Sequence, residues 1–255
     1  MPFTFSHAVL APPLSKLTGN RLPIGALAIG TMTPDFYRIL VQKEIHLNHQ
    51  WQGLVHPDLW VGLLFCFLWY CLYRPMLFKL VGIHAPLNIH SAMTLFKFLC
   101  GMILAILLGT ATHIIWDGLT HLDFRTFAFH AFLAREVPIM GHIYPMHRVL
   151  QIGTSIIALP FLLWMSLHYY SNFRQPNITS KKVFNFAFIL FLFSFFAGSA
   201  TYILRAKYTG FNPHSADLYT LIGFFLNGFA RGSLLCFSLG CIVFLWLDRK
   251  QFFKE

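Results

Sequence analysis

The 255-residue sequence predicts an all-α protein: a polytopic membrane helix bundle of about five transmembrane helices, with interfacial helices at its N-terminal end. Three observations lead there. Charged residues make up 11% of the chain and hydrophobic ones 56%, whereas a soluble domain carries about 25% charged residues to keep its surface wet. That deficit runs along nearly the whole chain, so apolar surface must meet lipid. Five stretches reach the roughly 20 apolar residues needed to cross a hydrocarbon core. Backbone groups in lipid must be satisfied within their own segment, so each stretch is expected to be a helix.

Residues 1–53 precede the first span and are neither spanning nor fully polar. Ser6 is a plausible N-cap for a short helix containing His7. The apolar stretch 22–30 is too short to cross and ends in Thr33-Pro34-Asp35, so short interfacial helices are expected here. The opening 17 residues lack a basic leader and an unbroken apolar core, so they are expected to stay in the mature protein. The spans are predicted at 54–73, closed by Arg74-Pro75; 95–116; 149–170, with Pro160 as a kink; 183–204; and within 218–247. Between the second and third spans, 119–147 is rich in Phe and His and broken by Pro138, Gly141 and Pro145. There Phe124, Phe127, Ala128, Ala131 and Phe132 recur at helical spacing and predict an interfacial helix. No repeat or linker divides the chain, so 1–255 reads as a single membrane domain, with segments 1–53, 54–118, 119–147 and 148–255.

The net charge of +10 does not point to nucleic acid, because no basic domain carries it; Lys and Arg lie in short loops where they meet membrane lipid headgroups. Nine of them fall on each side of the predicted spans, so the positive-inside rule leaves the orientation undecided. All five cysteines lie in apolar runs without close metal-type spacing, which marks them as reduced packing residues.

The sharpest feature is His113-Ile-Ile-Trp-Asp117-Gly-Leu-Thr120-His121. Positions i, i+4 and i+8 share a helix face, so His113, Asp117 and His121 project together, with Thr120 beside them. Ionisable groups at the end of an apolar span are expensive unless they pair, face water or bind a cation. Imidazole nitrogen and carboxylate oxygen together suit Zn²⁺ and similar divalent ions. A hydrated helix end is the plainer alternative. Because the chain crosses and returns, His7, Asp35 and His49 are expected on the same membrane side as Asp117 and His121, within reach of the stripe.

The segments Met1-Pro-Phe-Thr-Phe-Ser-His7, Leu22-Pro-Ile-Gly-Ala-Leu, Gly30-Thr-Met-Thr-Pro34-Asp35, His49-Gln-Trp-Gln-Gly53, His113-x-x-Trp-Asp117-x-x-Thr-His121 and Leu150-Gln151-x-Gly-x-Ser155 resemble, as an ordered set over the first 160 or so residues, a bacterial multi-pass membrane family, domain of unknown function 4184. That family is in turn similar to the inner-membrane metal-dependent hydrolases and, more faintly, to zinc-dependent phospholipase C. The resemblance implies a metal site at His7, Asp35, His49, His113 and Asp117 in a protein of the bacterial inner (cytoplasmic) membrane; within the stripe, Asp117 and His121 are the residues expected to serve catalysis. The implied activity is hydrolysis of a lipid-borne or phosphate ester with a divalent metal, Zn²⁺ above all. The sequence departs from the family at His56-Pro57-Asp58, where aliphatic or aromatic residues are usual.

Several readings stay open. His56 and Asp58 are either extra ligands or a hydrated helix start. His130, His142 and His147 either line an entrance or sit at the interface. His84 and His90 are expected on the opposite side. Arg231, the strong charge within the last span, could meet an anionic headgroup or Asp117, snorkel to the interface, or mark a helix break near Asn227-Gly228; Gly228 and Gly232 suggest close helix packing. The rivals to a hydrolase are a non-enzymatic membrane protein, either transporter or lipid-binding scaffold, and bis-His haem ligation by His113 with His168.

Overall fold

A computed structural model describes residues 4–41, 46–175, 180–216 and 218–254. Met1-Pro-Phe of the opening motif and Lys43 of the charge count lie outside them. Among the described residues, five helices are long and apolar enough to cross a membrane: Trp51–Val81, Ala92–Thr120, Met146–Phe173, Lys181–Thr209 and Thr220–Arg249. The all-α, five-span reading stands. The described chain groups into two compact units, one of Met1–Tyr37, Lys43–Cys66 and Pro86–Asn172, the other of Arg38–Gln42, Phe67–Ala85 and Phe173–Glu255.

A 3-10 turn over Thr4–Leu10 leads into α1 (Ala11–Leu17) and then α2 (Ile24–Leu40), of which the residues up to Tyr37 belong to the first unit. Ser6 does not cap this segment; it lies inside the turn, fully buried. Nor does the apolar stretch stop at Thr33-Pro34-Asp35, because α2 runs through Pro34 for 17 residues. A proline inside a helix removes one donor and leaves the carbonyl four residues earlier unanswered. That carbonyl belongs to Gly30, and Thr110 Oγ1 donates to it at 3.2 Å. The Pro34 carbonyl accepts from Asn48 Nδ2 at 2.6 Å, which ties down the 3-10 turn His46–His49.

The second span, α5 (Ala92–Thr120), starts at a capping box in which Ser91 and Thr94 exchange side-chain-to-backbone hydrogen bonds. Its buried face carries Gly101, Ala105, Gly109, His113 and Asp117 at four-residue steps. Small residues there let α2 approach backbone to backbone. A Cβ on Gly30 would stand 2.6 Å from the Ile106 carbonyl oxygen, and one on Gly109 would stand 2.6 Å from the Thr31 nitrogen. The first span joins the same contact, since a Cβ on Gly62 would meet the Ile106 side chain at 2.4 Å and Thr33 Oγ1 at 3.2 Å.

That first span is not closed by Arg74-Pro75. After α3 (Trp60–Leu68), a wide π turn over Trp69–Tyr73 absorbs the proline, and α4 (Arg74–Val81) ends at Gly82 in the left-handed conformation. The interfacial helix expected over 124–132 is also corrected. Residues 121–129 form turns in which Thr126 Oγ1 donates to the His121 carbonyl and accepts from the Asp123 N–H, local bonds that compete with helix. Only α6 (His130–Ala134) is helical, followed by a hairpin of β1 (Glu136–Ile139) and β2 (His142–Pro145). The third span, α7 (Met146–Phe173), continues through Pro160, and Gln151 Nε2 donates to the Thr120 carbonyl at 2.9 Å.

The second unit is built on α8 (Lys181–Thr209) and α9 (Leu218–Arg249). They too approach on small residues, since a Cβ on Gly232 would stand 2.4 Å from the Ala197 carbonyl oxygen and one on Gly198 2.7 Å from that of Phe229. Met76, Val183, Ala187, Cys241 and Phe244 form its core. Phe184, Phe188 and Phe193 stay exposed, as residues that face lipid do.

Gly109→Ala is expected to destabilise the protein by about 1–3 kcal/mol by overpacking, read as a lowered melting temperature in detergent. Gly223→Ala, whose added carbon meets nothing within 4 Å, should leave that temperature unchanged or raise it slightly.

Candidate metal centre

Four segments deliver the polar cluster. The N-terminal 3-10 turn brings His7, α2 brings Asp35, the His46–His49 turn brings His49, and α5 brings His113 and Asp117. The side chains of His7, His49, His113 and Asp117 are 0–3% exposed, and that of Asp35 is 17% exposed. All five residues that sequence and resemblance single out therefore meet in one place.

Asp117 is the hub. Its Oδ1 lies 3.7 Å from His7 Nε2 and 3.5 Å from His121 Nδ1; its Oδ2 lies 3.4 Å from His113 Nε2 and 3.8 Å from His49 Nε2. Asp35 Oδ1 lies 3.4 Å from His49 Nε2, and Asp35 Oδ2 accepts from Thr4 Oγ1 at 2.7 Å. Ligand atoms about 2.0–2.1 Å from a tetrahedral ion stand about 3.3 Å apart, and the spacings between these ligand atoms, 3.4–3.8 Å, lie just above that edge length. Two triads, His7–Asp35–His113 and His49–His113–Asp117, each place their ligand atoms within 4.8 Å of one another.

The donor set fits a cation on a further ground. His113 Nδ1 faces the Thr31 carbonyl at 2.8 Å. A carbonyl only accepts, so Nδ1 carries a proton and the ring is turned with Nε2 toward the carboxylates. Ligating histidines are commonly fixed by such a second bond. The Nε2 atoms of His7, His49 and His113 are all buried without a hydrogen-bond partner, a cost that a shared cation removes. The His7 and His113 rings stack at 3.9 Å.

Burial, followed by the neighbouring His113 imidazole, holds the His7 pKa well below its ordinary value, and burial also lowers that of His49. Burial would raise Asp35, but the neighbouring His49 and His113 imidazoles bring it well below the usual carboxylate range. His121 is pushed down by burial to about 4. Around these rings the carboxylates of Asp35, Asp117 and Asp123 outnumber the single guanidinium of Arg125, a balance that suits a cation.

Sequence reasoning missed Arg125. Its Nη1 donates to Asp117 Oδ2 at 3.1 Å, and its Nε donates to Asp123 Oδ1 at 2.9 Å. The signal was Asp123-Phe-Arg125 just past the stripe, one turn from its last histidine. Asp58 is fully buried, with neither oxygen bonded within the described residues, so the hydrated-helix reading fails for it; His56 is exposed. His130 and His142 are exposed, and His147 Nδ1 faces the Leu133 carbonyl at 3.3 Å. His84, His90 and His168 are exposed, and His168 Nε2 meets Asn172 at 3.1 Å while His113 faces the cluster. Arg231 bonds to the Arg38 and Val41 carbonyls.

A family model described as "Domain of unknown function (DUF4184)" matches residues 1–239. No curated protein and no solved structure matches the chain.

Folded-state stability of the metal-free protein should depend on pH through these histidines. His121 binds its proton at pH 6.5 when unfolded but only near 4 when folded. Between those values the unfolded state holds more protons, so stability is complete above pH 6.5 and falls as pH drops toward 4. His7 and His49 act in the same direction. Melting temperatures from pH 7.5 to 4 check this, and His121→Gln should flatten the decline.

Proposed function

The chain belongs to the DUF4184 family, and from that premise we propose that it is a membrane-embedded, metal-dependent hydrolase. Its cation, Zn²⁺ or a similar divalent ion, would be held by His7, Asp35, His49, His113 and Asp117. The observation that carries this reading is the fixed His113 ring, with Nδ1 on the Thr31 carbonyl and a bare Nε2 aimed at Asp117. Likeness of the family to the inner-membrane metal-dependent hydrolases supports the reaction class and a bacterial inner-membrane setting. The substrate proposed is a lipid-borne or phosphate ester reached at the interface.

A bound divalent ion supplies Lewis acidity toward an ester oxygen and toward water. The protein's own groups do the rest. Arg125 and His121 hold Asp117 in one orientation. His121 Nδ1 lies 3.1 Å from the Asp117 main-chain carbonyl, which places its proton on Nδ1 and leaves Nε2 to accept. The proton released by the attacking water passes to Nε2 and returns to the departing alkoxide, so one ester and one water become an acid and an alcohol. Asp35, the partly exposed member, marks the side by which substrate enters.

Metal analysis of the purified chain tests the site. About one equivalent of divalent metal is expected in the parent, and less than about a tenth of that in His113→Ala and Asp117→Ala. No metal in the parent, or unchanged content in both variants, ends the reading. Arg125→Gln should weaken metal affinity about 10- to 100-fold, as loss of a group that orients a ligand does. His121→Gln should keep the metal and lower kcat toward a chromogenic phosphate ester. Metal retained without hydrolysis of any ester would turn the assignment to a non-enzymatic transporter or scaffold.

A further inference from the structure

The loop between α5 and α7 carries an apolar surface that the cation centre does not use. α7 is 28 residues long, so at about 1.5 Å per residue it extends about 42 Å, the thickness of a bilayer with its headgroups. Its first residue therefore stands at headgroup level. The Met146 N–H donates to the Arg135 carbonyl at 2.8 Å, which pins the base of the β1–β2 hairpin to that point. At the other end of the loop, Phe127 covers Gly118, where an added Cβ would run into the ring, and Thr126 holds the His121 carbonyl. The loop is fastened to the ends of both spans, so the hairpin leaves from the membrane surface.

Both faces of this hairpin are apolar. Its register pairs Val137 with Tyr144 and Ile139 with His142 on one face, and Pro138 with Ile143 on the other. Among the strand residues only Val137 and Pro145 are even half-buried, and Met140 at the tip is 97% exposed. A lone two-stranded ribbon is marginally stable at best in water. Exposed apolar surface of this kind marks a place where something docks. The turn adds an independent sign. Met140 and Gly141 have φ of 50° and 81°, the two positive values of a type I′ turn, which favours Asn-Gly. Left-handed backbone is unfavourable for methionine, yet a large apolar side chain stands there.

Polarity along the ribbon says which way it points. Its charged residues, Arg135 and Glu136, are at the base, and Ile139 and Met140 are at the tip. Between 127 and 148 the arginines Arg135 and Arg148 face the single acid Glu136, a sign that suits lipid phosphates. Tyr144 and His142, with ring centroids 6.3 Å apart, carry polar tips on apolar bodies, as side chains at headgroup level do. A ribbon lying flat would leave one apolar face in water, whereas one entering by its tip wets neither. Four strand residues at about 3.4 Å each reach about 13 Å, beyond a headgroup layer about 5–8 Å thick on one side. The outer edges of this two-stranded sheet limit the depth, because hydrocarbon cannot satisfy their unpaired backbone groups.

We propose that the β1–β2 hairpin enters the adjoining leaflet tip first, its partner being the lipid bilayer itself. Met140 reaches the upper acyl carbons, and the charged base stays among the headgroups. The inference does not depend on the hydrolase reading, since no hairpin residue belongs to the cation cluster.

The full chain carrying Met140→Cys, with the exposed native thiol removed by Cys71→Ala, is held in nanodiscs of phosphatidylcholine and phosphatidylglycerol, where both membrane faces are open to solvent. A water-soluble maleimide should modify it about tenfold more slowly than Ser215→Cys, an exposed position in the polar turn after α8, because thiolate forms poorly among apolar groups. The Cys71→Ala chain supplies the background. A fluorophore attached to Met140→Cys before reconstitution should be quenched by lipid carrying a nitroxide near the top of its acyl chain, and spared by aqueous iodide. Ile143→Cys should behave in the same way. Modification of Met140→Cys as fast as that of Ser215→Cys overturns the proposal, since the tip is then in water. Slow modification without quenching by the lipid nitroxide overturns it too, since a second copy of the chain or another part of it then covers the tip.

Discussion

The backbone-to-backbone approach of α2 and α5 is the constraint on which the first unit rests. Gly30 and Gly109 leave no room for a methyl group between the two helices. Only at that distance can the Thr31 carbonyl reach the His113 ring and the Thr110 hydroxyl reach the Gly30 carbonyl. Close packing on small residues and interhelical hydrogen bonds hold the pair. The same contact that joins the helices therefore sets the tautomer of the central imidazole.

Polar groups in this setting are organised by what proline removes. Pro34 takes a donor out of α2, and Thr110 answers the carbonyl left behind. The Pro34 carbonyl then anchors Asn48, next to His49. Asp35, the residue after the proline, is thereby brought to the His49 imidazole. A helix irregularity that looks like a break in the sequence instead joins two segments that carry candidate ligands.

Much of this was legible in the sequence, for reasons that can be named. Span length and the 113–117–121 spacing are properties of a single helix, and a single helix is what periodicity reports. The convergence of His7, Asp35 and His49 followed from counting crossings and from the family resemblance. The failures were tertiary or local. Apolar length could not tell that α2 would continue through Pro34, because the hydroxyl that compensates it lies 76 residues away on α5. Phenylalanine spacing over 124–132 looked helical, but Thr126 and Asp123 turned the chain first. A hydrated helix start stayed open for Asp58 because its position before a span suggests an interface, whereas it is enclosed. Arg125 was passed over because a loop arginine beside an aspartate has an ordinary explanation.

The order in which the ligands occur along the polypeptide has a consequence for biosynthesis. His7, Asp35 and His49 emerge before the first crossing, and their partners His113 and Asp117 lie at the far end of the second. No ion can be captured with the full set until that return crossing has been inserted, so the early histidines spend the translation of more than sixty residues without their partners. Loading of the proposed cation would thus act as a checkpoint on topology: a chain whose second crossing inserts the wrong way would strand its imidazoles on opposite leaflets and remain empty.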